Sequence, residues 1–264
     1  MGNETPGKGV PCGMTEPSPN TPSLPSRTIR ILSYNVHSCV GTDRKRDPAR
    51  IADVIAETGA DIIGLQELDV GRRRSGGIDQ AQAIANHLRM DFHFHPALRV
   101  AEEQYGDAIL TALPLQLRQA GGLTSVGEPR GALWADVEAH GERLHIVNTH
   151  LGLTRRDRVR QMRELLGRSW LGNSEIRKGK SLLIGDFNSI PSSAPYRMVK
   201  RHMKDVVQDL GELAGATFPS RWPLLRLDHI FVSESLRLRS VEAVRTPLAR
   251  LASDHLPLLA EVAF

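Results

Sequence analysis

Cysteine is nearly absent from this chain of 264 residues: Cys12 and Cys39 stand in no metal-ligand or disulfide spacing. Cys12 falls in a Pro-, Gly- and Ser-rich stretch with nothing for a bridge to brace. A cysteine-based metal site is therefore excluded, and a reducing, cytoplasmic setting is expected. Aromatic residues make up 5% of the chain, few for a surface built to stack exposed bases. No apolar run reaches the length of a membrane span. Residues 1–27 lack the apolar stretch of a secretory signal. The Met1-Gly2 start has Pro6 where a myristoylation signal needs Ser or Thr. There is no Walker-type Gly-rich loop, so nucleotide-driven phosphoryl transfer has no support. There is no Gly-x-Ser-x-Gly elbow either, which argues against a serine esterase. Neither sign of charge dominates: the net charge is +4. That excess favours anionic partners, phosphates or anionic lipid surfaces, without establishing nucleic-acid binding.

What is present is an ordinary globular composition, 40% hydrophobic and 24% charged. Residues 1–27 are rich in Pro, Gly, Ser and Thr and read as a disordered tail. Residues 28–264 read as one catalytic domain without a second linker or an internal repeat. Ile29–Val36 has the pattern of an opening strand. Asp47-Pro48 predicts an N-cap and first helical turn, Ile51, Val54 and Ile55 one apolar face, and Gly59 the end of that helix. Ile62–Leu65 is a fully apolar run, as in a strand buried on both faces. Asp79 is placed to cap a second helix that turns Ile84, Ala85 and Leu88 inward. Strands are predicted over 108–110, 132–137, 144–149, 182–184, 227–232, 238–244 and 258–262. A helix over 155–166 carries an expected apolar stripe of Val159, Met162 and Leu166. Its other faces hold Arg155, Arg156, Arg158, Arg160 and Arg163, which fit either a solvated face or a basic rim near an anionic substrate. Many strands with interspersed helices predict two packed sheets covered by helices.

One pattern repeats. Apolar strand residues run into a small polar cluster at Asn35, at Gln66-Glu67, at Asn148-Thr149-His150, at Asp186 with Asn188, and at Asp228-His229. Ser253-Asp254-His255 precedes the last strand. A carboxylate beside a buried strand is costly unless paired or bound to metal, so the clusters are expected to converge on one charged site. Oxygen-rich Asp, Glu and Asn with His, and no cysteine, suit Mg²⁺ or Mn²⁺. Metal-assisted attack of water on phosphorus is the chemistry that matches.

Tyr34-Asn35, Leu65-Gln66-Glu67, Asn148-Thr149-His150-Leu151, Gly185-Asp186-Phe187-Asn188, Leu227-Asp228-His229-Ile230 and Ser253-Asp254-His255 stand in the order found in the endonuclease/exonuclease/phosphatase superfamily, which the chain resembles from Asn35 to His255. Tyr34-Asn35-Val36-His37, Glu128–Leu133 and Thr217-Phe218-Pro219-Ser220 look most like its bacterial metal-dependent hydrolases of uncertain substrate. The resemblance implies an α/β fold, a four-layer αββα sandwich with the active site at one end of the two sheets.

It also implies roles. Glu67 is the expected principal metal ligand, with Asn35 beside it as an amide-oxygen ligand or water holder and Asp254 as a further contact. Asp186 is expected to orient or deprotonate the attacking water, and Asn188 to hold that water or a phosphate oxygen. Asp228 is expected to orient His255, which faces the phosphate, and His150 to donate to a phosphate oxygen or the leaving group. His37 stands where several nucleases of the superfamily carry Asp and either alters metal occupancy or touches substrate. Asp107 either adds charge near the site or caps a strand. Arg130 is a candidate phosphate contact, with a structural salt bridge as the competing reading. His145 and His229 are read as structural. The superfamily spans abasic-site endonucleases, DNases, sphingomyelinases and inositol phosphatases, so fold membership does not supply the substrate. The expected partner is a phosphate ester, lipid-like or nucleic acid, handled by a monomer. The competing readings are a nuclease and a non-catalytic binding protein that kept the fold.

Overall fold

The computed structural model describes residues 1–3, 27–211 and 215–264. The tail expected over 1–27 lies almost wholly outside the described residues, as does Cys12. Cys39 is buried and unbridged among the described residues.

The chain runs β1 (Thr28–Asn35), α1 (Pro48–Thr58), β2 (Ile62–Val70), α2 (Gln80–Leu88), β3 (Asp91–Val100), β4 (Glu103–Thr111), β5 (Leu115–Leu123), β6 (Arg130–Ala139) and β7 (Glu142–His150). It continues with α3 (Arg155–Leu165), α4 (Ser174–Lys178), β8 (Lys180–Asp186), α5 (Ala194–Lys200), β9 (Lys204–Asp205), α6 (Val206–Asp209), β10 (Asp228–Val232), β11 (Arg237–Ala243), α7 (Pro247–Ala252) and β12 (Leu258–Ala263). The strands form two six-stranded sheets, ordered β11-β12-β1-β2-β4-β3 and β5-β6-β7-β8-β10-β9.

Three apolar cores make this a four-layer sandwich. One holds Ile31, Ile62, Ile146, Ile184 and Ile230 between the sheets. A second packs Ile51, Ile55 and Ile84 of α1 and α2 and Ala249 of α7 on the outer face of the first sheet. A third packs Met162, Leu165, Tyr196 and Val199 of α3 and α5 on the outer face of the second. The expected αββα architecture is what the chain adopts.

Local signals set the helix ends. The Asp47 carboxylate accepts from Arg50 N–H, Pro48 occupies the first turn, and Gly59 closes α1 at φ +59°. Such a cap is worth about 1 kcal/mol. Asp79 caps α2 in the same way. On α3 the inward face is Asp157, Gln161, Met162 and Leu165. Val159 and Leu166 are only half-buried, so the expected stripe is rotated. Two polar groups explain it: Gln161 accepts from Gly152 N–H at 2.8 Å, and Asp157 accepts from Val126 N–H at 3.1 Å. A buried polar side chain with partners costs little.

The site is placed by two parallel pairings. β1 pairs in parallel with β2, and β7 with β8, while the other pairings are antiparallel. Parallel neighbours need a crossover and so end on the same side. Asn35 thus lies opposite Gln66, and His150 opposite Asp186. Antiparallel β10 begins where β8 ends, which sets Asp228 beside Asp186. An amide pair helps to tie the two sheets at this end. Gln66 Nε2 donates to Asn148 Oδ1 at 2.8 Å, and Asn148 Nδ2 donates to the Leu65 and Ala108 carbonyls at 3.0 and 2.9 Å.

Candidate active site

β2 does not stop at its polar cluster. It continues to Val70 with a bulge between Leu65 and Leu68, and Glu67 sits in the bulge at φ +64°. A left-handed glutamate is uncommon and costs backbone energy. The bulge turns the Glu67 carboxylate toward the cleft, as bulges beside active sites do. Asp107 on β4 supports it, its Oδ1 lying 3.4 Å from Glu67 N–H. Burial, partly offset by Arg130, pushes the Asp107 carboxyl up to about 7. Neither expected reading named this contact, which braces the β2 bulge.

Asn35 is a strut between carboxylates. Its Nδ2 donates to Glu67 Oε1 at 2.9 Å and to Asp186 Oδ2 at 3.0 Å. Its Oδ1 is taken by His37 N–H at 3.0 Å. The expected amide-oxygen ligand is therefore turned away from the carboxylates, and the amide nitrogen faces them. Burial opposes ionisation of Glu67, but bonds from His37 and Asn35 hold it well below the usual carboxylate range. His37 Nδ1 lies 3.5 Å from Glu67 Oε2 and 3.7 Å from Asp254 Oδ2. The Glu67 bond is the main reason its imidazole titrates above the ordinary value.

Across the cleft, Asp228 Oδ2 lies 2.8 Å from His255 Nδ1 and also accepts from Thr217 Oγ1 at 2.5 Å. His255 Nε2 points at Asp186 Oδ2, 3.7 Å away. Burial disfavours the imidazolium, but Asp228 and Asp186 outweigh it and raise His255 to about 10. Burial and the Asp228 charge push the Asp186 carboxyl up to about 7. Asn188 N–H binds Asp186 Oδ1 at 2.7 Å. His150 is held between Asn188 Nδ2, 3.0 Å from its Nε2, and Arg130, 3.4 Å from its Nδ1. Burial, aided by the Arg130 charge, drops His150 to about 3, so its ring is neutral. Arg130 also pairs with Glu128 at 2.6 Å. It lines the cleft as well as being salt-bridged.

His37, Glu67, Arg130, His150, Asp186, Asn188 and His255 share one cleft of about 370 Å³. Asn35 and Asp228 are buried beneath it, and Asp254 stands at its edge. His229 faces away: its Nε2 meets the Ser189 carbonyl at 2.7 Å. His145 is held by Asp136 at 2.6 Å, far along β7 from the cleft. Four residues given no role in the sequence reading matter here. Gln66 ties the sheets, Thr217 holds Asp228, Ser253 Oγ donates to the Asn35 carbonyl at 2.8 Å, and Phe218 packs on His255 with ring centroids 4.8 Å apart. All four fall in motifs singled out by resemblance, which was the available signal.

The donor set fits a hard divalent cation. Glu67 and Asp254 flank one point with carboxylate oxygens, and the imidazole nitrogen there is drawn toward its charged form, as a cation would be. Oxygen donors of this kind suit Mg²⁺ or Mn²⁺. Asp186, Asp228 and His255 make a second, buried cluster whose ligand atoms all lie within 4.8 Å of one another, a spacing that can hold a metal ion.

Two six-stranded sheets bring these acid, amide and histidine groups to one end. The Endonuclease/Exonuclease/phosphatase family profile matches residues 32–255, and the chain belongs to that family. The uncharacterized protein YbhP of Escherichia coli strain K12 is 26% identical over 249 residues, covering 89% of this chain and 96% of YbhP. The mannosyl-6-phosphatase Bt3783 of Bacteroides thetaiotaomicron VPI-5482 superposes with a TM-score of 0.71 at 20% identity, covering 89% of this chain and 100% of that one. TDP2 of D. rerio, solved with a single-strand DNA product, gives 0.69 at 18% identity, covering 90% and 99%. At these identities the structural likeness is one of fold.

Proposed function

We propose that the protein is a Mg²⁺- or Mn²⁺-dependent phosphodiesterase that cleaves a phosphate ester by attack of water. The observation that carries this reading is the division of one cleft into two walls. Glu67 and Asp254 offer oxygen donors on one side, and the Asp228–His255 pair faces Asp186 on the other. The metal belongs at Glu67 and Asp254, because the Asp228 and His255 atoms of the buried cluster already bind each other at 2.8 Å. When bound, it supplies Lewis-acid polarisation of the phosphoryl oxygens.

The chain's own groups do the rest. Asn35 holds Glu67 and Asp186 in fixed relation. Asp186, its carboxyl made more basic by burial and by the Asp228 charge, accepts the proton of the attacking water, and Asn188 steadies its carboxylate. His255, kept protonated by Asp228, donates to a phosphoryl oxygen as the water oxygen bonds to phosphorus and the P–O bond to the alcohol breaks, and the departing alkoxide takes its proton from solvent. Arg130 and the neutral His150 line the wall that meets the remaining oxygens. We read the protein as a cytoplasmic monomer with a single catalytic domain over 28–264.

A chromogenic phosphodiester, bis(4-nitrophenyl) phosphate, tests the reading directly. Hydrolysis should require Mg²⁺ or Mn²⁺ and vanish in EDTA. Full activity after exhaustive chelation would refute the metal-dependent mechanism, and metal-independent silence on every phosphodiester would favour a non-catalytic binding protein. A nuclease is the second reading. The exposed Arg155, Arg156, Arg160 and Arg163 of α3 favour it, and plasmid, abasic-site DNA and RNA belong in the same panel.

A further inference from the structure

Of the three tryptophans, Trp134 and Trp170 are core residues, each 4% exposed. Trp222 is 78% exposed, and Leu224 and Leu225 beside it are 80% and 43% exposed. Single exposed apolar side chains are ordinary, but a tryptophan and two leucines within four residues form a patch that needs an explanation. None of the three joins an apolar core among the described residues.

The segment that carries them is well braced. Phe218 and Leu225 form an antiparallel bridge. Leu224 and Leu225 donate to the Phe218 carbonyl at 2.9 and 2.8 Å, and Trp222 donates to the Pro219 carbonyl at 3.1 Å. Arg250 fastens the turn from α7, donating to the Ser220 and Arg221 carbonyls at 3.2 and 2.9 Å. The backbone thus holds Trp222 and Leu224 out into solvent.

The surroundings select the occupant. Among the described residues the hollow at this tip is lined by Arg221, Trp222, Pro223, Leu224, Arg245 and Arg250, with no carboxylate. An indole and aliphatic groups at the tip, with guanidinium groups around them, match a bilayer interface. Apolar side chains enter the headgroup boundary, tryptophan prefers that depth, and arginines meet lipid phosphates. Single-stranded nucleic acid calls for successive aromatic platforms. Here one aromatic stands among leucines, which have no π-face to offer a base.

The turn is also joined to the chemistry. Thr217 donates to Asp228, the Phe218 ring packs on His255, and Ser220 N–H donates to the Asp254 carbonyl at 2.7 Å. We propose that the Phe218–Leu225 turn docks the protein on an anionic bilayer. Trp222 and Leu224 insert, Arg221 and Arg245 contact lipid phosphates, and the cleft is presented to the phosphodiester of a membrane phospholipid. The substrate half of this rests on the phosphodiesterase reading; the docking half does not.

The test uses the full chain in EDTA, so that binding is read without turnover. Vesicles of phosphatidylglycerol mixed with phosphatidylcholine are compared with pure phosphatidylcholine vesicles and with a single-stranded oligonucleotide. Expected are co-sedimentation with the anionic vesicles, a blue shift of the Trp222 emission, and its quenching by spin-labelled lipid. A Trp222→Ala/Leu224→Ala variant with an unchanged Tm should bind at least about tenfold more weakly, as expected for losing two inserted apolar groups. Arg221→Gln and Arg245→Gln should each weaken binding about fivefold. Failure to bind anionic vesicles at low salt, or binding indifferent to the Trp222→Ala/Leu224→Ala change, overturns the docking surface. A Trp222 response to the oligonucleotide but not to vesicles overturns it in favour of nucleic acid. With Mg²⁺ restored, hydrolysis of vesicle phosphatidylglycerol supports the substrate half. Cleavage of the chromogenic diester without cleavage of the bound lipid overturns that half. Silence on both diesters fails the phosphodiesterase reading instead, whatever the vesicles show.

Discussion

His255 and Asp228 approach the cleft from different sheets and meet at 2.8 Å, Nδ1 to Oδ2. The first precedes β12 and the second begins β10, so neither sheet alone contains the pair. Asp228 both orients the ring and favours its protonated form. Asp228→Asn should lower kcat/KM roughly 10²–10⁴-fold, the range for a positioned acid–base group. His255→Ala should lose at least as much. Groups that act as a unit show non-additive losses, so the double variant should be scarcely worse than His255→Ala. Losses that simply multiply across the four proteins would show two independent residues.

Glu67 and Asp186 share the Asn35 amide as donor at 2.9 and 3.0 Å. Glu67→Gln and Asp186→Asn keep size while removing charge, and each exchanges one acceptor oxygen for an amide donor. Each should lose roughly 10²-fold or more of the metal-dependent rate and keep a cooperative melt. Calorimetry with Mg²⁺ should show weakened binding for Glu67→Gln. Near-wild-type hydrolysis by either variant would remove that residue from the mechanism.

Asp205 supplies a stability term with a defined pH sign. It is buried, and burial opposes its ionisation, but His229 and Arg226 hold its carboxyl below the usual range. Arg226 lies 2.8 Å away. A folded-state value below the unfolded one, about 3.9, means the contribution is complete above the unfolded value. It is lost as pH falls through the folded one. Asp205→Asn should cost about 3–5 kcal/mol at neutral pH, since it strands a largely buried guanidinium. That cost should shrink toward pH 3 in urea titrations (about one unit below the reference carboxyl value). A constant difference at both pH values would contradict the assignment.

Gly185 has φ +142°, and a Cβ there would stand 1.8 Å from the Thr149 carbonyl oxygen. Backbone cannot yield as a flexible side chain does. Gly185→Ala should therefore destabilise by at least about 1–3 kcal/mol, read as a lower Tm. It should also cost activity, because it forces apart the strands that carry His150 and Asp186. An unchanged Tm would show that β7 and β8 accommodate the methyl group.

The central strands and α1 were legible because burial on both faces writes a plain apolar run and because Asp47, Pro48 and Gly59 act locally. β3 and β5 were not. They are edge strands, half-exposed, and interrupted by Pro96 in one and Gly121-Gly122 in the other, which edges tolerate and centres do not. The α3 stripe was misread because Asp157 and Gln161 turn inward to bond partners far from the helix in sequence. The identity of the polar clusters was legible, but their contacts were not: Asn35 meets Asp186 across 151 positions. A positive φ at Glu67 leaves no trace in residue type, because glutamate does not favour it.

The Gln66–Asn148 amide pair has a mechanical consequence. Half of the cleft rides on each sheet, and this pair is a dowel between them. A slip of one residue along a strand, about 3.3 Å, would leave both sheets hydrogen-bonded within themselves yet carry Asn35 out of reach of Asp186. Turnover is thus a more sensitive gauge of sheet alignment than secondary structure is. In a denaturant series it should fade before the far-ultraviolet signal does, and earlier still once Asn148 is replaced by leucine.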